Sequence, residues 1–336
     1  MAAFSTSFAL SDMARLVGRV GVFATLASSP VSRAKRARMA SMCHWTAGID
    51  GSRSSHRSPG DDTLTSEQAR FIRPVSGSKR DCMRLAERIL AAFCKMPEEV
   101  SYADTSDPIA LANREIPADP LKDLRREFPG LRELLYNRDV LDFGCGFGDQ
   151  AAAIAREFRA RVTGLDKHTG LVAAARQRYG RVAHFTNCLD GETFDVVVSQ
   201  DAMEHYDDPS GMLAAMADTL RPGGRILIVF GPPWWAPYGA HMRFFCPIPW
   251  LQLWFSEKTV MAVRNRYRPD GAKHYEEVES GLNRMSLAKF ERILRSLGLT
   301  VTTRRYVAVK KLPFVTKIPI LRELATVLVV AELRKL

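Results

Sequence analysis

The chain has 336 residues, of which 46% are hydrophobic, so it can bury the core of one α/β domain of about 200 residues plus extensions. Its net charge of +11 comes from the two ends. Residues 1–60 and residues 304–336 each carry eight lysines or arginines against two acids, and the residues between them sum to −1. A basic groove for nucleic acid would have to be built into the folded domain. The charge distribution therefore disfavours a nucleic-acid substrate.

Residues 1–60 are rich in Ser, Ala and Arg and nearly free of acids, with a basic run at residues 33–38. Such a composition cannot bury enough apolar surface to offset its ordering entropy, so we expect a disordered tail. The same features are typical of an organellar transit peptide, and an over-extended translation start is a third interpretation. We expect a cytoplasmic protein, with organellar import as the alternative. No apolar run approaches the length of a membrane span.

Residues 61–136 are expected to form a helical extension. Apolar residues recur at helical spacing within residues 80–96, which predicts an amphipathic helix packed beside the main domain. They are Met83, Leu85, Ile89, Leu90, Phe93 and Met96. Shorter helices are predicted over Asp119–Phe128 and Leu131–Tyr136. The extension either covers a binding site or only packs against the domain.

A glycine turn follows the first predicted strand, in the segment Val140–Gly148. Three glycines alternate as G-x-G-x-G, and a helix is predicted from Ala151 to Phe158. A strand, a glycine turn and a helix allow a cofactor to approach the backbone closely. Dinucleotide-binding turns instead have the spacing G-x-G-x-x-G. Asp142, two residues before the first glycine, would repel a pyrophosphate but suits a cationic amine.

The elements downstream continue an alternation of strands and helices. A second strand, Arg161–Leu165, ends at Asp166, twenty positions after Gly146. An acidic residue at such a strand end can accept hydrogen bonds from ribose hydroxyls. Further strands are predicted near residues 182–185, 194–199 and 226–230, with helices over residues 168–179 and 210–220 between them. The turn L-R-P-G-G precedes the fifth strand, and final strands are predicted over residues 300–309 and 325–333.

The succession L-D-F-G-C-G-F-G, G-L-D, F-D-V-V-V-S, E-H and L-R-P-G-G resembles the class I S-adenosylmethionine-dependent methyltransferases with a type 11 domain, related to the ubiquinone and menaquinone enzymes. The resemblance covers residues 138–230. It implies an α/β, doubly wound, Rossmann-like sheet of seven strands with a reversed last strand, over residues 137–336. It also implies S-adenosyl-L-methionine as the cofactor.

The resemblance implies a set of cofactor-binding residues. Asp142 would face the methionine amine, and the backbone of the glycine turn would line the methionine and ribose. Asp166 would hold the ribose, with Lys167 beside it. At the adenine the sequence departs from the family pattern: the acidic residue there is Asp190 or is replaced by Asn187, and we favour Asn187 with Cys188. The full predicted set is Asp142, Gly144, Cys145, Gly146, Gly148, Asp166, Lys167, Asn187, Cys188 and Gln200.

Two histidines are candidate general bases. His205 follows the fourth strand, close to where the transferred methyl group should lie, and His241 is the second candidate. An imidazole with a pKa near 6.5 suits proton abstraction at neutral pH. In the alternative interpretation, each histidine only orients or packs its loop. Glu204, His205, His241 and His274 lack a compact ligand spacing, so no metal site is predicted.

The stretch of residues 230–285 is a long insertion after the fifth strand, rich in prolines and aromatic side chains. It follows the carboxyl end of a parallel strand, where doubly wound sheets bind ligands. We interpret it as a substrate lid, with Trp234 and Tyr238 as pocket walls. The aromatic residues favour a ring-containing or lipid-like acceptor, or they form the core of a small subdomain. Ser286 is the predicted N-cap of a helix over Leu287–Leu297.

Six scattered cysteines form no C-x-x-C pair, so we expect them to be reduced. The predicted function is methyl transfer from S-adenosyl-L-methionine to O, C or N of a small-molecule or lipid-like acceptor. The alternatives are a non-catalytic cofactor-binding protein of the same fold and an NAD-dependent oxidoreductase. The sequence does not identify the acceptor or the oligomeric state.

Overall fold

A computed structural model describes residues 84–94, 116–278, 281–309, 315 and 318–336. Predictions for the tail, residues 1–60, lie outside the described residues, as does much of the 61–136 extension. Seven strands form one sheet in the order β3-β2-β1-β4-β5-β7-β6. The strands are β1 Asp139–Phe143, β2 Arg161–Leu165, β3 His184–Thr186, β4 Phe194–Gln200, β5 Leu220–Phe230, β6 Thr300–Ala308 and β7 Thr326–Arg334. β7 runs antiparallel to both neighbours, so the predicted fold is confirmed.

Helices cover both faces of this sheet. They are α1 Leu85–Phe93, α2 Lys122–Glu127, α3 Leu131–Leu135, α4 Asp149–Phe158, α5 Thr169–Tyr179, α6 Pro209–Thr219, α7 Leu251–Trp254, α8 Glu257–Arg264, α9 Leu287–Ser296 and α10 Pro319–Ala325. Neighbouring strand residues point to opposite faces, so Val196 and Val198 pack with α2 to α5, whereas Val197 packs with α6 and α9. Both faces are buried, which explains the nearly continuous apolar runs of the central strands.

The strand register brings the carboxyl ends of the central strands together. Asp142 in β1 pairs with Gly164 in β2 and with Val198 in β4. The residues that follow β2 and β4 therefore meet the glycine turn at one edge of the sheet.

Two elements differ from their predicted form. The fifth strand begins at Leu220, so the L-R-P-G-G turn lies inside it, opposite a register irregularity between Phe194 and Val196. In α1 only Leu90 is fully buried, and Leu85, Ile89 and Phe93 lie 73%, 45% and 56% exposed among the described residues. The predicted amphipathic helix is present, but only its Leu90 side is buried, and it packs against the insertion.

Residues 230–285, here called the lid, have a hydrophobic core of their own. Its members include Trp234, Phe245, Leu251, Val260 and Tyr275, together with Leu90 from α1. Helix α8 packs against α1. No helix among the described residues has the length and apolar character needed to cross a bilayer.

Candidate functional site

The glycine turn adopts backbone conformations that favour glycine at all three positions. Gly144, Gly146 and Gly148 have φ angles of +85°, +52° and +80°. A Cβ on Gly148 would lie 2.5 Å from a ring carbon of Phe185, whereas a Cβ on Gly146 would meet no described atom within 4 Å. The turn therefore combines a packed side, at Gly148, with an open side, at Gly146, where a ligand can approach the backbone.

These two glycines give a matched pair of variants. Either alanine substitution should lower the free energy of unfolding by about 1–2 kcal/mol, because both positions have a left-handed backbone conformation. Gly148→Ala should lose about 1–3 kcal/mol more of the free energy of unfolding, because its methyl group overlaps Phe185. Gly146→Ala should instead weaken ligand binding more than folding. Urea unfolding and calorimetric titration with S-adenosylhomocysteine separate the two effects. Equal unfolding losses in the two variants would contradict this packing argument.

Asp142 is buried beside the turn with half of its carboxylate satisfied. Its Oδ1 accepts a hydrogen bond from Gln150 Nε2 at 2.8 Å, and its Oδ2 has no partner among the described residues. Burial raises the pKa of this carboxyl to about 7, and the Gln150 contact opposes the rise. The side-chain oxygen of Gln200 also lacks a described partner. Unpartnered buried oxygens are rare, and these two fit a cationic donor group at this edge.

Asp166 lies next to the turn, as expected, but its contacts are to the backbone. Its Oδ2 accepts from Gly146 N and its Oδ1 accepts from His168 N, both at 2.9 Å. The carboxylate therefore braces the turn, and each oxygen keeps a further lone pair for a ribose hydroxyl. The Lys167 ammonium lies 3.8 Å from Asp207 Oδ2. Burial lowers the pKa of His205, and the charge of Lys167 adds to that lowering.

The predicted adenine loop follows β3. Thr186 Oγ1 donates to the Cys188 carbonyl at 2.7 Å, which closes a tight turn around Asn187. Asp190 is exposed. Cys94, Cys145 and Cys246 are free thiols, but Cys188 is disulfide-bonded, so the expectation of reduced cysteines is wrong at that position. The adenine assignment stays a prediction.

The structure brings the two candidate bases together. The rings of His205 and His241 pack edge to face with centroids 5.4 Å apart. His205 Nδ1 lies 2.7 Å from the Gly281 carbonyl, which can only accept, so Nδ1 carries the proton and Nε2 keeps a lone pair. His241 Nε2 likewise donates to the Pro232 carbonyl at 3.3 Å. Burial lowers the pKa of both rings, that of His241 to about 4.

His205 sits in a short turn, Met203–His205, held from two sides. Tyr206, just after the turn, donates its hydroxyl to the Phe143 carbonyl at the end of β1. From the lid, Asn283 donates to the Met203 and Tyr206 carbonyls, each at 2.7 Å. The lid therefore reaches the turn that carries a candidate base. Gln150 and Asn283 were not predicted from the sequence, and only the position of Gln150, two residues after Gly148, could have signalled either.

Glu204 is a buried carboxyl in the same turn. One oxygen accepts from Gly231 N at 3.2 Å, the other has no described partner, and burial raises its pKa to about 8. The folded protein keeps this proton between about pH 4.3 and 8, where an unfolded chain loses it, so stability falls as pH rises through that window.

Glu204→Gln, which mimics the protonated carboxyl, should remove this loss of stability. Its melting temperature should exceed that of the wild type at pH 8, and the difference should shrink towards pH 4.5. Thermal unfolding at both pH values tests this, with the exposed Glu133→Gln as the control. A pH-independent difference would contradict the assignment of a proton to Glu204.

The lid aromatics divide between core and surface. Trp234 packs edge to face on Tyr275 with centroids 4.8 Å apart, so it lies in the lid core, as the subdomain interpretation predicts, and its role as a pocket wall stays a prediction. Tyr238 is half-buried under the guanidinium of Arg243. Among the described residues no group of three His, Cys, Asp or Glu side chains could hold a metal ion.

A doubly wound sheet with a reversed last strand, carrying an acidic residue before a glycine turn, defines the class I methyltransferase fold. Residues 141–228 match the family described as "Methyltransferase domain". Over these residues the chain is therefore similar to methyltransferase domains, as the sequence resemblance implied.

Curated relatives agree with this domain. The chain is 29% identical over 153 residues to a ubiquinone biosynthesis O-methyltransferase of Serratia proteamaculans, which covers 38% of this chain and 63% of that protein. It is 33% identical over 106 residues to the enzyme of the same name from Aeromonas salmonicida, covering 28% and 43%. A phosphoethanolamine N-methyltransferase of Triticum aestivum is 31% identical over 112 residues, covering 31% and 22%. The chain spans less than two thirds of the length of each.

Proposed function

We propose that this protein transfers the methyl group of S-adenosyl-L-methionine to a hydroxyl group of a small-molecule, aromatic or lipid-like acceptor. The observation that best supports this cofactor is the unpartnered buried oxygen of Asp142, next to the open side of the glycine turn at Gly146. An amine donor satisfies that oxygen. A pyrophosphate would bring negative charge to a buried carboxyl, which argues against a dinucleotide cofactor.

The residues of this chain would act by binding, positioning and proton transfer. Asp142 and Gln200 would hold the methionine end of the cofactor, and the turn at Gly146 with Asp166 would hold its ribose. When bound, S-adenosyl-L-methionine supplies a methyl group on a cationic sulfur, which is a good leaving group. Positioning the acceptor in line then provides most of the rate. His205 Nε2 would take the proton of the acceptor hydroxyl as the new oxygen–carbon bond forms.

The choice of a hydroxyl acceptor rests on the state of the two histidines. Both rings have pKa values below the ordinary range, so they are neutral at pH 7, and His205 presents a lone pair. A neutral imidazole suits removal of a proton from a hydroxyl. The two ubiquinone biosynthesis relatives are named O-methyltransferases, which agrees with this choice. His241 lies in the lid, so we propose that the lid forms one side of the acceptor site.

Calorimetric titration of the full chain with S-adenosylhomocysteine, and separately with NADH, tests the cofactor. Binding of the first alone supports the proposal, and binding of NADH alone overturns it. Transfer of a radiolabelled methyl group then tests the acceptor, with hydroxylated aromatic compounds, with and without a prenyl tail, compared against phosphoethanolamine. Cofactor binding without transfer to any hydroxyl would favour the non-catalytic alternative, and methylated phosphoethanolamine would overturn the acceptor class.

A further inference from the structure

The last part of the lid, residues 281–285, returns to the turn that carries His205; we call it the clamp. Gly281 offers its carbonyl to His205 Nδ1 at 2.7 Å. Asn283 makes three contacts: its Nδ2 donates to the carbonyls of Met203 and Tyr206, and its backbone N–H donates to the carbonyl of Glu204 at 3.0 Å. All three residues of the turn, and Tyr206 directly after it, are therefore hydrogen-bonded to the clamp.

We propose that Asn283 is a positioning residue that holds His205 in the tautomer able to accept a proton. The role rests on the proposed function, in which His205 Nε2 is the base. A neutral imidazole has one protonated nitrogen, and the hydrogen bond that it makes decides which one. With Nδ1–H bonded to Gly281, Nε2 is free to accept. Without that bond the proton can move to Nε2, and that nitrogen can no longer act as a base.

The side chain at position 283 must supply two donors to two carbonyl oxygens. The amide of asparagine has two N–H donors on one nitrogen, and a carboxylate of the same shape has none. An aspartate would place oxygen against the Met203 and Tyr206 carbonyls and so push the turn away from the clamp. The contact joins only backbone atoms of the turn to one side chain, so the effect of the substitution should be confined to the turn.

The clamp has anchors that do not depend on Asn283. Leu282 is buried in the lid core, and Met285 is buried in the core under the sheet. The Met285 carbonyl also accepts from Trp234 N at 2.7 Å. These contacts lie on both sides of Asn283 in the segment, so Asn283→Asp should disturb the turn while leaving the clamp folded in place.

The test is the tautomer of His205, read by two-bond ¹H–¹⁵N correlation of the imidazole nitrogens in the full chain. The signals of His205 are identified among the seven histidines by their loss in His205→Gln. The wild type should show the Nδ1–H form, and Asn283→Asp should show Nε2–H or a mixture. Asn265→Asp is the control, since Asn265 also lies in the lid and donates to a backbone carbonyl, that of Ala272. It should leave the His205 signals unchanged.

Kinetics add a second measurement. Asn283→Asp should lower kcat by about 10²-fold with little change in the KM for S-adenosylmethionine, and Asn265→Asp should not. Retention of the Nδ1–H form in Asn283→Asp would overturn the proposal, whatever the activity. If Asn283→Asp changes the tautomer but His205→Gln keeps full turnover, the positioning role of Asn283 stands and His205 is not the base. Should Asn283→Asp fail to fold, Asn283→Ser, which keeps one donor, should give a mixed tautomer, and a pure Nδ1–H form would contradict the proposal.

Discussion

Replacement of His205 by glutamine is expected to lower turnover by about 10²–10⁴-fold while leaving the affinity for S-adenosylhomocysteine nearly unchanged. Glutamine fills a similar volume but cannot take up a proton at neutral pH. The loss should be in kcat, because the ring lies beside His241 on the lid side of the turn and makes no contact with Asp142 or Asp166 among the described interactions. Steady-state kinetics and calorimetric titration of the same preparation measure both quantities.

The neighbouring histidines supply the controls. His184→Gln, at an exposed position of β3, should have wild-type turnover. His241→Gln should lower turnover less than His205→Gln, because His241 would contribute packing and not proton transfer. A larger loss of turnover in His241→Gln than in His205→Gln would identify His241 as the base.

The pH profile of the wild type follows from the same assignment. A base must be unprotonated to act, so kcat/KM for the acceptor, measured with saturating S-adenosylmethionine, should fall as the pH drops through the pKa of His205. Burial lowers that pKa below its ordinary value, so the acidic limb should lie below pH 6.5. His205→Gln should lose this limb. If the acidic limb of the pH profile is unchanged in His205→Gln, the limb belongs to another titrating group.

The second large effect is expected at Asp142. Asp142→Asn should weaken the binding of S-adenosylhomocysteine by about 1–3 kcal/mol, the scale for losing a charge-assisted hydrogen bond. Asn keeps the shape and the contact to Gln150, so folding should be nearly preserved. Asp139→Asn is the matched control at the other end of β1, where the carboxylate pairs with Arg161 and Arg221. It should leave the affinity unchanged.

The affinity of the wild type should also depend on pH. An amine cation binds the ionised carboxylate of Asp142, whose pKa in the ligand-free protein is about 7. Binding therefore favours loss of the proton, so affinity should rise as pH increases through about 7 and level off above it. Asp142→Asn should abolish that dependence. A wild-type affinity that stays constant from pH 6 to pH 8 would contradict the amine contact.

The sheet and the glycine turn could be predicted because their signals are local. Apolar runs mark buried strands, the spacing of glycines marks positive φ angles, and Ser286 marks a helix start that its side chain does cap. The same locality explains why the extent of burial at α1 could not be predicted. Its apolar periodicity is real, but the surface against which a helix packs depends on residues far away in the chain.

The site was predictable only on its cofactor side. Asp142 and Asp166 follow strands whose order the sequence reveals, so their placement at one edge is a consequence of topology. Asn283 joins a turn about 80 positions earlier, and no local pattern announces such a contact. The hydrogen bond that selects the His205 tautomer comes from the backbone of Gly281, a group that every residue type carries.

The lid leaves the sheet at Gly231, bonded to Glu204, and returns at Asn283, bonded to the residues on either side of Glu204. Entry and exit therefore meet at one point of the domain. A segment whose two ends meet can vary in length at little cost in closure entropy to the strands that flank it. In the proposed function, where the lid forms one side of the acceptor site, this arrangement would let acceptor choice change separately from cofactor binding, and chimaeras joined at residues 231 and 283 would follow the same boundary.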